Sequence, residues 1–250
     1  MKKIYFASDA HLGNRYAADP MADEKRLVRW MDRIAPDAAA IYFLGDMFDY
    51  WYEYRYVVPR GHVRFLGKLA ELHDAGVEIH LFIGNHDIWM FDYLPAEVGA
   101  VIHRGPLTVE LLGHRFFLAH GDEVGYQPRK YRFIQSIFRN RLCQVLYAGI
   151  HPRWTFGFAR GWSLSSRRKG LAETRRAAAQ ERNTRSLDAF ARTYLESHPE
   201  TDFFLFGHLH LMLDRQLTPH TRMIVLGDWM QYFSYAVWDG LELRLLQDEG

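Results

Sequence analysis

Five short segments carry the residue types that can do chemistry: Asp9-Ala10-His11, Gly45-Asp46-Met47-Phe48-Asp49, Gly84-Asn85-His86-Asp87, His120-Gly121-Asp122 and Gly207-His208-Leu209-His210. They offer imidazoles, carboxylates and one amide oxygen, without a thiolate. That set suits manganese, iron or zinc, and the amide argues against a closed structural zinc site. In Asp9-x-His11 and His208-x-His210, alternate residues on an extended strand end point the same way, so each pair can converge on a metal. One carboxylate, Asp46, can bridge two ions. Two cations about 3.5–4 Å apart hold a hydroxide for in-line attack on phosphorus while neutralising phosphoryl oxygens. A lone Asp or His is ordinarily structural; five such segments in this order point to one site made of Asp9, His11, Asp46, Asn85, His120, His208 and His210.

Each segment needs an element to aim it, and each follows an apolar run. Ile4–Ala7, Ile41–Leu44, Ile79–Ile83 and Phe203–Phe206 read as buried strands. Ligands at the carboxyl ends of parallel strands share one crevice. Gly45, Gly84, Gly121 and Gly207 let the backbone turn sharply and approach an ion. Helical patterns around Asp23–Ile34 and Val63–Ala75, the second closed by Gly76, separate the first three strands and give a β-α-β-α-β opening. Later, Leu107–Leu112 with Arg115–Ala119, and Tyr235–Trp238 with Leu241–Leu245 around Asp239-Gly240, read as hairpins. The expected fold class is mixed α/β, a mixed β core with helices outside.

A chain of 250 residues with 48% hydrophobic composition can form one well-cored domain. Residues 128–170 break the rhythm. Phe133, Ile134, Ile137, Phe138, Leu142, Val145 and Leu146 fall at helical spacing, and the aromatics Trp154, Phe156, Phe158 and Trp162 follow. We read this as a helical insertion, or cap, within a core formed by 1–127 and 171–250. Between Arg129 and Arg182 stand 13 lysines and arginines against Glu173 and Glu181 alone, a surplus of +11 that leaves −10 on the rest of a chain of net charge +1. Such asymmetry calls for an anionic partner: phosphate, nucleic acid or acidic lipid.

The single cysteine, Cys143, excludes an intramolecular disulfide and fits a reducing compartment as a small apolar filler. The basic start Met1-Lys2-Lys3 runs into apolar residues, but Asp9 and His11 interrupt them before a signal core could form. No run approaches the ~18 apolar residues of a membrane span. The expected location is cytoplasmic, with any membrane contact peripheral.

The ordered motifs resemble the calcineurin-like metallophosphoesterase family, whose signature is DxH, GDxxD, GNHD, HGD and GHxH. The resemblance spans most of the chain and implies a four-layer αββα sandwich of two mixed sheets. It further implies that one metal takes Asp9, His11, Asp46 and His210, and the other Asp46, Asn85, His120 and His208. His86 would protonate the leaving group or stabilise the transition state, with Asp49 orienting its ring.

Phe43-Leu44-Gly45-Asp46-Met47-Phe48-Asp49-Tyr50-Trp51, and His120-Gly121-Asp122 followed by Gly125-Tyr126-Gln127, are similar to UDP-2,3-diacylglucosamine pyrophosphohydrolases of lipid A synthesis, which also place a basic helical insertion at this point. That narrower resemblance implies hydrolysis of UDP-2,3-diacylglucosamine to UMP and a diacylglucosamine phosphate by two divalent ions, Mn2+ before Fe or Zn. It also implies substrate contacts from Asn85, His86, Tyr126, Arg167, Arg168 and Lys169, and a seat on the anionic cytoplasmic face of the inner membrane. The best-known branch has arginine where this chain keeps His86 and the wider family's GNHD. The alternative reading is a broader metallophosphodiesterase acting on nucleotides or nucleic acid. No nucleic-acid-binding module is recognisable, so no stable nucleic-acid partner is expected, and no protein partner is predicted.

Overall fold

The computed structural model describes residues 2–14, 19–125, 127–155 and 173–250, with only the backbone described for 173–177. Strands β1 (Lys3–Ala7), β2 (Ala38–Phe43), β3 (Glu78–Phe82) and β4 (Val101–His103) pair in parallel. Strands β10 (Ser234–Trp238) and β11 (Leu243–Gln247) add antiparallel on the β1 side, giving the order β11-β10-β1-β2-β3-β4. The second sheet has the order β5-β6-β7-β9-β8. Its β6 (His114–Ala119), β7 (Phe203–Phe206) and β9 (Arg222–Leu226) are parallel, flanked by antiparallel β5 (Leu107–Leu111) and β8 (Met212–Gln216).

The alternation of strand side chains divides the apolar residues into three sheets of contact. Tyr5, Ile41, Phe43, Ile79 and Leu81 face helices α1 (Pro20–Ile34) and α2 (Val63–Asp74), which supply Leu27, Trp30, Phe65 and Leu69. The opposite residues, Ile4, Phe6, Tyr42 and Phe82, meet Phe116, Leu118, Leu205 and Ile224 of the second sheet. On the far side, Phe117, Phe204, Phe206 and Val225 pack on Leu187 and Ala191 of α6 (Glu173–Ser197). Helix, sheet, sheet and helix form the four-layer αββα order expected from the motifs.

Local chemistry fixes the ends. Asp19 caps α1 by accepting from the Met21 and Ala22 amides, both at 3.0 Å, with Pro20 in the first turn. A buried carboxylate from another element serves α2, where Glu24 of α1 accepts from the Arg64 and Phe65 amides at 3.0 and 3.1 Å. The last hairpin differs from the expected register: Leu241 is 87% exposed and β11 starts at Leu243, because the Asp239 carboxylate accepts from the Leu241 and Glu242 amides and holds both in the turn.

The segment 128–170 is described only as far as 155. It forms α4 (Arg129–Arg139) and α5 (Arg141–Ala148), neither with a fully buried residue. Cys143 is half-buried on α5, not the fully enclosed filler its type suggests. The helix pair is pinned to the core by polar contacts to main chain: Trp89 Nε1 donates to Phe138 O at 3.0 Å and the Tyr52 hydroxyl to Gln144 O at 2.7 Å. The Trp89 and Tyr147 rings stack at 5.3 Å.

Candidate metal centre and active site

All five chemistry-bearing segments sit at carboxyl ends of parallel strands, three after β1, β2 and β3 and two after β6 and β7. The turns out of these strands are tight. Asp9, His11, Asp46, His208 and His210 all have positive φ, between 42° and 66°. A left-handed non-glycine residue costs on the order of 1–2 kcal/mol. Five together are strain concentrated where the side chains must turn inward. Two glycines make the close approach possible. A Cβ on Gly45, itself at φ +87°, would meet His120 Nδ1 at 2.6 Å, and one on Gly84 would meet the Asp46 amide nitrogen at 2.5 Å.

The side chains converge, but from left-handed turns rather than from the extended strand ends that the Asp9-x-His11 and His208-x-His210 spacing suggested. Asp9 Oδ1 lies 3.5 Å from His210 Nε2 and 3.8 Å from His11 Nε2. Asp46 Oδ2 lies 3.6 Å from His11 Nε2 and 3.4 Å from His120 Nε2, so one oxygen faces both halves of the site. Among the described residues, three groups have ligand atoms close enough to share a cation: Asp9, His11 and His210; His11, Asp46 and His86; and Asp46, His120 and His208.

In Asp9, Asp46 and His120 the other side-chain atom is already committed. Asp9 Oδ2 accepts from the Ser8 hydroxyl at 2.5 Å and the His208 amide at 2.8 Å. Asp46 Oδ1 accepts from the His86 amide at 2.8 Å, and His120 Nδ1 bonds Leu44 O at 2.7 Å. Left over at the site, buried and without a hydrogen bond, are Asp9 Oδ1, both ring nitrogens of His11, Asn85 Oδ1 and His120 Nε2. Each such atom costs about 1–3 kcal/mol when unsatisfied. The convergence of the Asp9, His11 and His120 atoms, with the second atoms of Asp9 and His120 engaged outward, suits divalent cations.

The electrostatics agree. Burial works against a charge on His11, but Asp49, Asp9 and Asp46 overcome it and raise its pKa to about 10. His120 is raised in the same way: burial opposes the charge and Asp46 outweighs it. Burial would lift Asp9, yet His210, His11 and His120 bring it down to about 2. His208 goes the other way, lowered to about 4 by burial and then by His120, which leaves a neutral imidazole at pH 7. The carboxylates here attract positive charge, which a metal supplies in place of the protons.

The family model of calcineurin-like phosphoesterases matches residues 2–212. The chain belongs to this family. A UDP-2,3-diacylglucosamine hydrolase of Porphyromonas gingivalis is 54% identical to this phosphoesterase, over 97% of this chain and 96% of that one. A protein of the same name from Aeromonas salmonicida is 27% identical, over 97% and 92%. Among solved structures, YfcE, a phosphoesterase from E. coli, shares 16% identity over 98% of this chain and 92% of that chain, with a TM-score of 0.47.

In this phosphoesterase the His86 ring lies edge-on to His11, centroids 4.7 Å apart. Asp49 holds it differently from the expectation. The closer contact to His86 Nδ1 is the Asp49 main-chain carbonyl at 3.0 Å, while Oδ1 is 3.8 Å from that nitrogen and 3.6 Å from His11 Nδ1. The Asp49 carboxylate is thus shared between two imidazoles. Tyr126, Arg167, Arg168 and Lys169 lie outside the described residues.

Two carboxylates join the site that the expected ligand set leaves out, Asp228 from outside the motifs and Asp87 from within Gly84-Asn85-His86-Asp87. Asp228 Oδ2 lies 3.2 Å from His210 Nδ1, and its Oδ1 is fixed by the Met230, Gln231 and Tyr232 amides at 3.2, 2.7 and 3.0 Å. The signal was available in the sequence: Met223–Leu226 followed by Gly227-Asp228 repeats the apolar-run-then-Gly-Asp pattern of Gly45-Asp46. Asp87, fully buried, accepts from the Gly84 and Met47 amides at 2.7 and 2.8 Å and ties the second and third loops together.

Proposed function

We propose that this phosphoesterase hydrolyses the diphosphate of UDP-2,3-diacylglucosamine to UMP and 2,3-diacylglucosamine 1-phosphate, a step of lipid A synthesis, with two Mn2+ ions. The observation that carries the reading is Asp46 Oδ2, equidistant within 0.2 Å from His11 Nε2 at 3.6 Å and His120 Nε2 at 3.4 Å. Asp9, His11, Asp46 and His210 hold one ion, and Asp46, Asn85, His120 and His208 the other. Bound there, the ions supply charge neutralisation for the phosphoryl oxygens and an activated water.

The chain's own residues do the rest. A carbonyl accepts at His86 Nδ1, so the ring carries its first proton there and leaves Nε2 as the exchanging position. Burial lowers the pKa of His86, and Asp46 opposes the shift. A diphosphate adds further negative charge beside the ring, favours its doubly protonated form and readies Nε2 to protonate the leaving group. Asn85 and His86, together with Tyr126, Arg167, Arg168 and Lys169, contact the substrate in this reading. The 54% identity with the P. gingivalis hydrolase supports the choice of substrate.

The substrate is a lipid, and the described part of the cap suits one. Phe133, Leu142, Leu146 and Trp154 are 66%, 67%, 66% and 72% exposed on a segment rich in arginine. No described helix is long and apolar enough to cross a membrane. The protein works as a peripheral enzyme on the cytoplasmic face of the inner membrane, the anionic surface meeting the basic helices.

The test is direct: purified protein with Mn2+ and detergent-dispersed UDP-2,3-diacylglucosamine releases UMP and the acylated sugar phosphate. Turnover of a simple aryl phosphodiester with no turnover of the lipid nucleotide would instead assign a broader metallophosphodiesterase acting on nucleotides or nucleic acid.

A further inference from the structure

Beside Asn85 and His208 a cavity of about 260 Å³ opens between the His120-Gly121-Asp122 loop, the start of α4 and the middle of α6. Its far wall is Arg182 and Asn183 of α6. The wall on the α4 side is already fixed, because Asp122 Oδ2 accepts from the Tyr131 hydroxyl at 3.1 Å and from Gln135 Nε2 at 2.5 Å. Arg182 and Asn183 are the contrast. Neither makes a hydrogen bond or ion pair among the described residues.

Two other arginines of the helix are paired. Arg185 pairs with Glu181 at 2.5 Å and Arg192 with Asp188 at 2.8 Å, each with the acid four residues earlier. The same spacing gives Arg182 an alanine, Ala178, and a serine on the other side, Ser186. Between Arg129 and Glu173 the sequence has no acidic residue, and the carboxylate of the cavity lining is Asp122, on the wall opposite α6. An exposed, unpaired Arg182 and a half-buried, unpaired Asn183 line a space that Asn85 and His208 also line. Guanidinium and amide N–H groups together suit phosphoryl oxygens, and the guanidinium can do so bidentately.

We propose that Arg182 and Asn183 form a second phosphoryl subsite. It receives the phosphoryl group of a diphosphate that the metal ligands do not hold. The inference rests on the diphosphate reading above and adds to it: two phosphoryl groups are read by two different parts of the fold, the strand ends and α6. The protein then prefers phosphoric anhydrides to simple diesters because only the former fill both positions.

The experiment measures UMP and UDP as competitive inhibitors of bis(p-nitrophenyl) phosphate hydrolysis, in saturating Mn2+. Wild type, Arg182→Ala, Arg182→Lys and Asn183→Ala are compared, with metal content and Tm recorded for each. UDP should inhibit the wild type about 10-fold better than UMP, the size of one charge-assisted contact. Arg182→Ala should lose that preference while keeping its metal, and Arg182→Lys, which keeps charge without the fork, should retain part of it. Asn183→Ala should reduce it, and carries the test with the lysine variant if Arg182→Ala does not fold. An unchanged UDP-to-UMP ratio in the folded variants, or equal inhibition by both in the wild type, overturns the subsite. If UDP-2,3-diacylglucosamine is not turned over but the UDP preference exists and is lost on substitution, the lipid substrate falls and the subsite stands.

Discussion

His210 and His86 show how neighbouring groups decide what an imidazole can do. His210 reaches Asp9 through Nε2 and Asp228 through Nδ1. A carboxylate behind a ligand imidazole fixes its tautomer and strengthens it as a donor, and its loss typically weakens metal binding 10–100-fold. Asp228→Ala should therefore lower Mn2+ affinity by roughly that factor, measured by titration calorimetry; affinity equal to wild type would show that Asp228 serves only to cap the 230–232 turn. For His86, replacement by Gln should leave the metal content intact and reduce kcat by about 10²–10⁴, read by steady-state kinetics alongside metal analysis. At this scale the meeting of Asp9, His11, Asp46, His120, His208 and His210 was legible because their types and order are so restrictive. Asp228 was less legible because it comes from a strand whose turn carries only one chemical residue. The carbonyl contact of Asp49 was not legible at all, since a sequence shows side chains and not where a main-chain oxygen points.

Strands and helices that bury a strong pattern were legible, and those at edges were not. β1, β2, β3 and β7 have near-continuous apolar runs, because both faces of a central strand in a layered sheet are covered. β4 is only three residues long and β8 is a half-exposed edge, so neither has a pattern to detect. Helix α6 buries a thin stripe of Leu187 and Ala191 among arginines and alanines, too sparse to declare a long helix. The β3–β4 edge has a property of its own. His80 Nδ1 lies 3.0 Å from His103 Nε2, with Glu78 at 3.4 Å on the other nitrogen of His80, and Tyr42 and Phe82 stack on the two rings. Burial and then His80 lower the pKa of His103 to about 4, and burial lowers His80 as well. Unfolded imidazole titrates near ~6.5, so acid favours the unfolded chain. The stability this pair contributes is complete above about pH 6.5 and is lost as the pH falls toward 4. Urea midpoints measured from about pH 7 to pH 5 should fall more steeply for wild type than for His103→Gln; parallel slopes would show that the pair does not govern acid stability.

Over the whole molecule, the two sheets bring strand ends that are far apart in sequence to one crevice, Asp9 and His210 being 3.5 Å apart across some 200 residues. The motifs made this convergence predictable, because each loop carries a ligand that is useless without the others. Helices α4 and α5 were legible from their spacing but their exposure was not, since a helical apolar stripe signals core as readily as it signals an exposed face. Here α4 and α5 leave Phe133, Leu142 and Leu146 outward. Leu146→Glu should weaken sedimentation with vesicles containing anionic lipid by several-fold, about the effect of exchanging one apolar insertion for a charge; equal sedimentation would mean that these helices do not meet the bilayer. The central claim is that Asp46 joins two metal positions into one catalytic centre. Metal analysis with turnover, on wild type and Asp46→Ala side by side, tests it most directly. The wild type should hold two Mn2+ ions per chain, and Asp46→Ala should hold at most one and turn over about 10³-fold more slowly or less. An Asp46→Ala protein that keeps both ions and its rate would contradict the account.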